Sequence, residues 1–355
     1  METEMTGAEL SRQVKELGEF YVQCEFSDLV CDGLDFSGGI FNEVIFKNCS
    51  FIAANLSETT FNNCQFFNCP FDKATLKTTN FISCALTGAS FKDTDMEKTR
   101  FLSSQLDESN FSGANMATAL INECDLSRAL LTDITSFESA YTSCNMNGVD
   151  FSRSRFEKAV FYEGEFSNNT FTDTAIILCS FVKATFKSVD FSNLDLKQCQ
   201  FVESSLEKCD FSNSKLLQGG FMEASLIGSK FVNADMELAN LYGCDLSGVD
   251  FSGATLDKAS LQKTTITATR FTRASMDMAN LSESIIKLAN FSGTDLTYAD
   301  MSHAIIMESD FSNANLFMTK MHEVYEEKSI WSGANKSQAQ GTDEMRKKAE
   351  QGGMK

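Results

Sequence analysis

From Tyr21 to Met321 a large apolar residue returns at every fifth position, and the count never slips. Phe26, Phe36, Phe41, Phe46, Phe51 and Leu56 open the series; Cys31, which is small, and Ser136, with Phe137 one place late beside it, are its two exceptions. All but four of the 32 Phe occupy this position, the others being Phe20, Phe67, Phe137 and Phe317. A period of five suits neither the α-helix, at 3.6, nor a plain strand, at 2.0. A fixed period instead means stacked units, each burying its apolar side against the next. One uninterrupted repeat therefore outweighs the two or three ordinary domains that 355 residues could otherwise form.

Two places before each large residue, here called the centre, the chain prefers a small one: Ala54, Cys64, Ala74, Ala114, Ala234 and Ala314 are examples. One large and one small inward position in every five imply extended segments that turn a corner once per repeat. Asp150, Asp190, Asp210, Asp250 and Asp310 each open an Asp-Phe-Ser triplet, and their spacings are all multiples of twenty. Sorted by that longer period, one column of centres is almost wholly Phe from Phe51 to Phe311, with Leu131 the exception. The next column is mostly Leu and Met, as in Leu56, Leu76, Met96 and Met116. A coil is thus twenty residues with four inner faces.

Ala114-Asn115-Met116, Ala234-Asp235-Met236, Ala279-Asn280-Leu281 and Ala314-Asn315-Leu316 resemble the pattern of the pentapeptide-repeat family: a small residue, Asp or Asn, Leu or Phe, and two variable positions. The resemblance implies an all-β solenoid, a right-handed four-sided parallel β-helix of about 15 coils and roughly 70 Å in length at ordinary strand spacing. Matches are looser before about residue 110, where Val, Thr, Cys or Leu often replace Ala.

The ends read differently. Residues 1–20 are expected to form an N-terminal capping helix: Thr6-Gly7-Ala8-Glu9 reads as a capping box, Leu10, Val14 and Leu17 as its apolar stripe, and Gly18 as its stop. Residues 21–321 are the β-helix. After Met321 the register decays, and residues 322–355 are expected to form a helical cap or tail, with a helical turn over Lys320–Glu327 and a charged helix over Thr342–Gln351 ended by Gly352-Gly353. Trp331 returns to register, and Lys336 falls where the next centre would be. Members of the family often close the stack or dimerise through such helices, so a homodimer through the C-terminal tail is the alternative to simple capping.

Eleven of the twelve Cys occupy the small inward position and Cys31 is a centre, which reads as small buried hydrophobes rather than a disulfide or metal framework. His303 falls two places after a centre, facing solvent, and His322 lies in the tail; neither shows a catalytic or metal-ligand spacing. There is no phosphate loop or dinucleotide fingerprint, and a filled prism offers no recess for acid–base chemistry. The expectation is a non-enzyme with no cofactor and no metal. The net charge of −19 disfavours direct nucleic-acid binding and anionic membranes. No run approaches the roughly 18 apolar residues of a spanning helix. The acidic stretch Met1–Thr6 lacks the basic start of a secretory signal, so the expected address is the cytoplasm of a bacterial cell.

Function must then lie on outward positions. One place after the centres of one face come Ile82, Leu102, Tyr162, Val182, Val202, Met222 and Tyr242, expected to line up as an exposed apolar stripe. Beside it run Glu123, Glu163, Glu203 and Glu223, with Glu43 and Glu283 in the same column. This side is the candidate protein-binding surface of a scaffold. A second reading is mimicry of a polyanion, because family members that confer quinolone resistance present an acidic surface to DNA gyrase. A third comes from Ser332-Gly333-Ala334-Asn335 and Gly341-Thr342-Asp343, which resemble repeat ends associated with type VI secretion and suggest release without a signal peptide.

Overall fold

The computed structural model describes residues 5–352. Most of the acidic start, Met1–Glu4, and the second glycine of the expected stop, Gly353, lie outside them. The chain is a parallel β-solenoid of about 15 turns with a short helix near each end. It divides into two units, Met1–Ser180 and Phe181–Lys355.

In the first unit, strands Ile40–Asn42, Thr60–Asn62, Asn80–Ile82, Arg100–Leu102, Leu120–Asn122, Ala140–Thr142 and Val160–Tyr162 form one parallel ladder. Every partner is twenty residues away: Phe41 faces Phe61, Phe61 faces Phe81 and Phe81 faces Phe101. The coil length read from Asp-Phe-Ser is therefore the register itself. Phe rings stack directly, Phe51 on Phe71 at 5.2 Å, Phe71 on Phe91 at 5.0 Å and Phe91 on Phe111 at 5.0 Å. Parallel ring faces this close are permitted because the strands fix the spacing near ~4.8 Å.

In the second unit most inter-coil pairing is through single bridges, such as Asp190 to Asp210 and Gly220 to Asn240. Continuous strands return at Thr265–Thr267, Ile285–Lys287, Ile305–Met307 and Tyr325–Glu327. The Phe column runs from Phe191 through Phe311 at centroid spacings of 4.6 to 5.1 Å.

Corners explain why five residues suffice. The residue two places after a centre has a left-handed backbone: Glu43 at φ 54°, Lys73 at φ 60° and Glu203 at φ 54°. That conformation aims its amide along the stack, so Lys73 N–H donates to the Lys92 carbonyl at 2.7 Å. The Asp of each Asp-Phe-Ser triplet secures the same corner, for Asp250 Oδ1 accepts from the Ser252 amide at 2.9 Å and Asp310 Oδ1 from the Ser312 amide at 2.8 Å. The local pattern is thus a turn device, repeated.

Both exceptions in the periodic series keep their place. Cys31 is fully buried, and Ser136 faces inward while Phe137 stays outside, 40% exposed. The register is carried by the backbone ladder, with Ser136 opposite Phe156, and one polar side chain does not shift it.

Helix α1, Gly7–Leu17, covers the start of the first unit with Leu10 and Val14 buried; Leu17 is exposed and drops out of the expected stripe. Gly7 lies so close to the coil that a Cβ there would collide with the Val30 carbonyl oxygen. Half of the capping box forms: Thr6 Oγ1 accepts from the Glu9 amide at 3.2 Å, while the Glu9 carboxylate turns to Arg12 and Gln13 instead. Gly18, at φ 67°, closes the helix as expected.

At the other end the sequence reading needs correction. Tyr325–Glu327 is a strand parallel to Ile305–Met307, not a helical turn, and the coil runs on to Gln340, which bridges to Lys320. Register outlasts the apolar pattern because the backbone bonds need no particular side chain. Helix α2, Glu344–Gly352, follows. Among the described residues no helix is long and apolar enough to cross a membrane.

Candidate protein-binding faces and a histidine cluster

The positions expected to form the apolar stripe do share a column in each unit. In the first, Ile82 faces Leu102, but Asn122 and Thr142 separate Leu102 from Tyr162. In the second, Val182, Val202, Met222 and Tyr242 follow without a break. They are joined by Lys183 N–H to the Val202 carbonyl at 3.0 Å, Glu203 N–H to the Met222 carbonyl at 2.9 Å and Glu223 N–H to the Tyr242 carbonyl at 2.8 Å. All are half-buried except Met222, at 37% exposure. The column is less open than its sequence suggests because neighbours one coil apart cover each other's flanks.

The adjoining carboxylates are exposed. Glu123 accepts from Ser103 Oγ at 3.2 Å and Glu163 from Ser143 Oγ at 3.3 Å. Glu203 lies 3.8 Å from Lys183 Nζ, and Lys263, which pairs with Glu283 at 3.8 Å, also stands over the Tyr242 ring at 5.6 Å. The line of like charge is therefore partly answered within its own column, most directly beside Val182 and Tyr242.

A more exposed apolar ridge escaped the sequence reading. Leu238, Met278 and Tyr298 sit two places after centres, with Tyr298 meeting Phe317 edge-on at 5.8 Å; Met278 is 52% exposed and Tyr298 46%. Their spacings of forty and twenty residues, multiples of the coil, were the available signal, with Lys258 standing in the column between Leu238 and Met278.

The structure also joins what the sequence separates. His322 is buried, not part of a loose tail, and His303 is half-buried one coil below it, their rings edge-on at 5.2 Å. Glu350 of α2 reaches both: its Oε2 lies 3.2 Å from His322 Nε2 and 3.5 Å from His303 Nε2. His322 Nδ1 accepts the Asp343 amide at 3.0 Å, and Lys347 pairs with Glu323 at 2.9 Å. The His322 contact and Arg346 hold the Glu350 carboxyl below its ordinary range.

The ligand atoms of His303, His322 and Glu350 lie within 4.8 Å of one another, a grouping that could hold a metal ion. The hydrogen bonds argue otherwise. With Nδ1 accepting an amide proton, neutral His322 must carry its own proton on Nε2, the atom that faces Glu350. A metal-bound imidazole needs the opposite arrangement, with Nδ1 donating. The cluster acts as a clamp that fastens α2 to the last turns.

These features define a class: a β-solenoid whose interior is filled with side chains and whose chemistry is confined to its outer faces and ends. The chain belongs to the pentapeptide repeat family. The pattern described as "Pentapeptide repeat region" matches residues 54–131 and 184–261, and that of "Pentapeptide repeats (8 copies)" matches 30–66, 250–287 and 284–320. No curated protein matches the chain. Among solved structures, a trypsin-treated variant of QnrB1, a plasmid-mediated fluoroquinolone resistance protein, is 24% identical, with a TM-score of 0.38, covering 51% of this chain and 90% of its own. HetL, involved in heterocyst differentiation regulation in the cyanobacterium Nostoc, is 15% identical, with a TM-score of 0.24, covering 82% and 97%.

Proposed function

We propose that this protein is a non-enzymatic scaffold that binds a partner protein through an outer face of its solenoid. The observation that carries this reading is the unbroken column Val182–Val202–Met222–Tyr242 beside Glu203 and Glu223. It offers an apolar strip with carboxylates at its edge, the composition that suits an extended or helical partner segment bearing apolar and basic side chains. The interior contributes nothing to recognition, since its side chains are spent on one another.

Replacing Val182, Val202 and Tyr242 together with Ser is expected to leave the β-solenoid circular dichroism unchanged and to abolish capture of the partner by the immobilised protein. Unchanged capture by the folded variant would remove this face from consideration.

The net charge of −19 favours a second reading, an acidic surface that engages DNA gyrase in place of DNA. A supercoiling assay decides it: inhibition or protection at excess protein supports the reading, and no effect ends it. A third reading, release by a secretion system without a signal peptide, rests on the resemblance of Ser332-Gly333-Ala334-Asn335 to secretion-associated repeat ends; these residues lie on the last coil, where Asn335 Nδ2 donates to Asn315 Oδ1 at 2.8 Å.

A further inference from the structure

The last coil of the second unit breaks the rule obeyed by the coils before it in that unit. Where the preceding coil carries Met301, Ile306, Phe311 and Leu316, all buried, the last carries Met321, Glu326, Trp331 and Lys336. Two of the four positions in register with the lumen centres are charged: Glu326, which is exposed, and Lys336, which opens the 3-10 turn Lys336–Gln338; neither side chain hangs free. Trp331 stacks on Phe311 at 4.3 Å with the planes 11° apart. Lys336 Nζ then stands 4.0 Å over the Trp331 ring and reaches Glu326 Oε2 at 3.4 Å. The aromatic column therefore ends in an indole roofed by a cation, and the cation is anchored by a carboxylate across the lumen. Both charged groups keep part of their surface in water, which spares them the penalty of full burial.

A second observation points the same way. Among the described residues the strand Tyr325–Glu327 is the last of its sheet and pairs on one side only. Its free edge carries Glu326 and Glu327, with Lys328 beside them 3.0 Å from Glu327. Charge along a free edge is a recognised defence against pairing with another strand.

We propose that Glu326 and Lys336 form an assembly stop, ending the lumen in charge so that a second copy of this chain cannot continue the stack here. Apolar side chains at these two positions would leave an uncharged, apolar end over Trp331, and a two-fold related copy could bury it. This runs against the homodimer through the tail, the sequence's alternative to simple capping. It is independent of the partner-binding face, which lies on other coils.

The test compares the full chain with Glu326→Leu/Lys336→Leu by sedimentation velocity across a range of concentrations, with hydrogen exchange read over residues 325–328. Circular dichroism and thermal unfolding establish that the variant is folded. Expected are a wild type that stays monomeric and a variant that dimerises as concentration rises, with residues 325–328 gaining protection. A folded variant that stays monomeric overturns the proposal. So does a variant that associates without protection at 325–328, and so does a wild type that already pairs through that segment. Should the variant fail to fold, Lys336→Met alone, which keeps the chain length of the side chain over Trp331, is put through the same measurement and read the same way.

Discussion

Ser136 Oγ lies 3.1 Å from the hydroxyl of Tyr141, and both are buried in the lumen of the first unit. The Tyr141 hydroxyl also donates to Met116 Sδ at 3.9 Å, so Ser136 is left to donate to the Tyr oxygen. One polar centre in the periodic series is thus answered by the next, the single Tyr among neighbouring inward centres. Tyr141→Phe should leave the Ser136 hydroxyl without its partner and cost about 1–3 kcal/mol. The double variant Ser136→Ala/Tyr141→Phe should recover part of that loss. Chemical denaturation of the four proteins measures the coupling, and strictly additive losses would show that the pair does not interact.

Left-handed corners make a sharper demand than side-chain size. Lys73→Pro removes the amide that donates to Lys92 and forces φ away from 60°, so destabilisation of about 3 kcal/mol or more is expected. Lys73→Gly, which accepts that backbone freely, should stay within about 1 kcal/mol of wild type. Hydrogen exchange over the two flanking coils locates the damage, and equal effects of the two substitutions would contradict the turn assignment.

Buried thiols give the protein an alkaline limit. All twelve Cys are free. Burial pushes Cys31, Cys124, Cys209 and Cys244 up to about 12 and Cys144 and Cys179 up to about 11, from an ordinary value of 9.0. Between pH 9 and the folded values the unfolded chain loses these protons while the folded chain keeps them. Stability is therefore fully present below pH 9 and falls as pH rises toward 11 to 12, by about 1.4 kcal/mol per pH unit for each thiol. Denaturant titrations at pH 8 and pH 10 should show the loss, and Cys244→Ala should reduce its slope. Thiol reagents at pH 8 should modify these groups only after unfolding.

Helix α2 is held by few contacts, so it should detach alone. Glu350→Ala removes the carboxylate that bonds to His322 and faces His303, and hydrogen exchange within Glu344–Gly352 should quicken severalfold while thermal unfolding of the coils stays put. Zinc added to wild type should change neither quantity, because the His322 proton occupies the position a metal would need. Tight zinc binding with increased protection of α2 would show that the ring adopts the other tautomer.

The sequence alone determined the coil. A period of five with a second period of twenty fixes which side chains face inward, and backbone pairing at twenty residues follows, from Phe41 against Phe61 to Ile305 against Tyr325. Local reading failed where side chains stopped advertising the repeat: Tyr325–Glu327 continues the coil on hydrogen bonds that no side-chain pattern reports. Burial on the outer faces was likewise hidden, since the exposure of Val202 or Tyr242 depends on what lies one coil above and below. The clamp at Glu350 and the charged roof over Trp331 belong wholly to the tertiary structure. Residues 28 apart in His322 and Glu350 meet only because α2 folds back across the last coils, and five residues separate Trp331 from Lys336 in the chain while the coil turns a corner between them. A repeat specifies its own interior because each unit sees the same neighbours; an end has a neighbour on one side only, and three-dimensional packing decides how it closes.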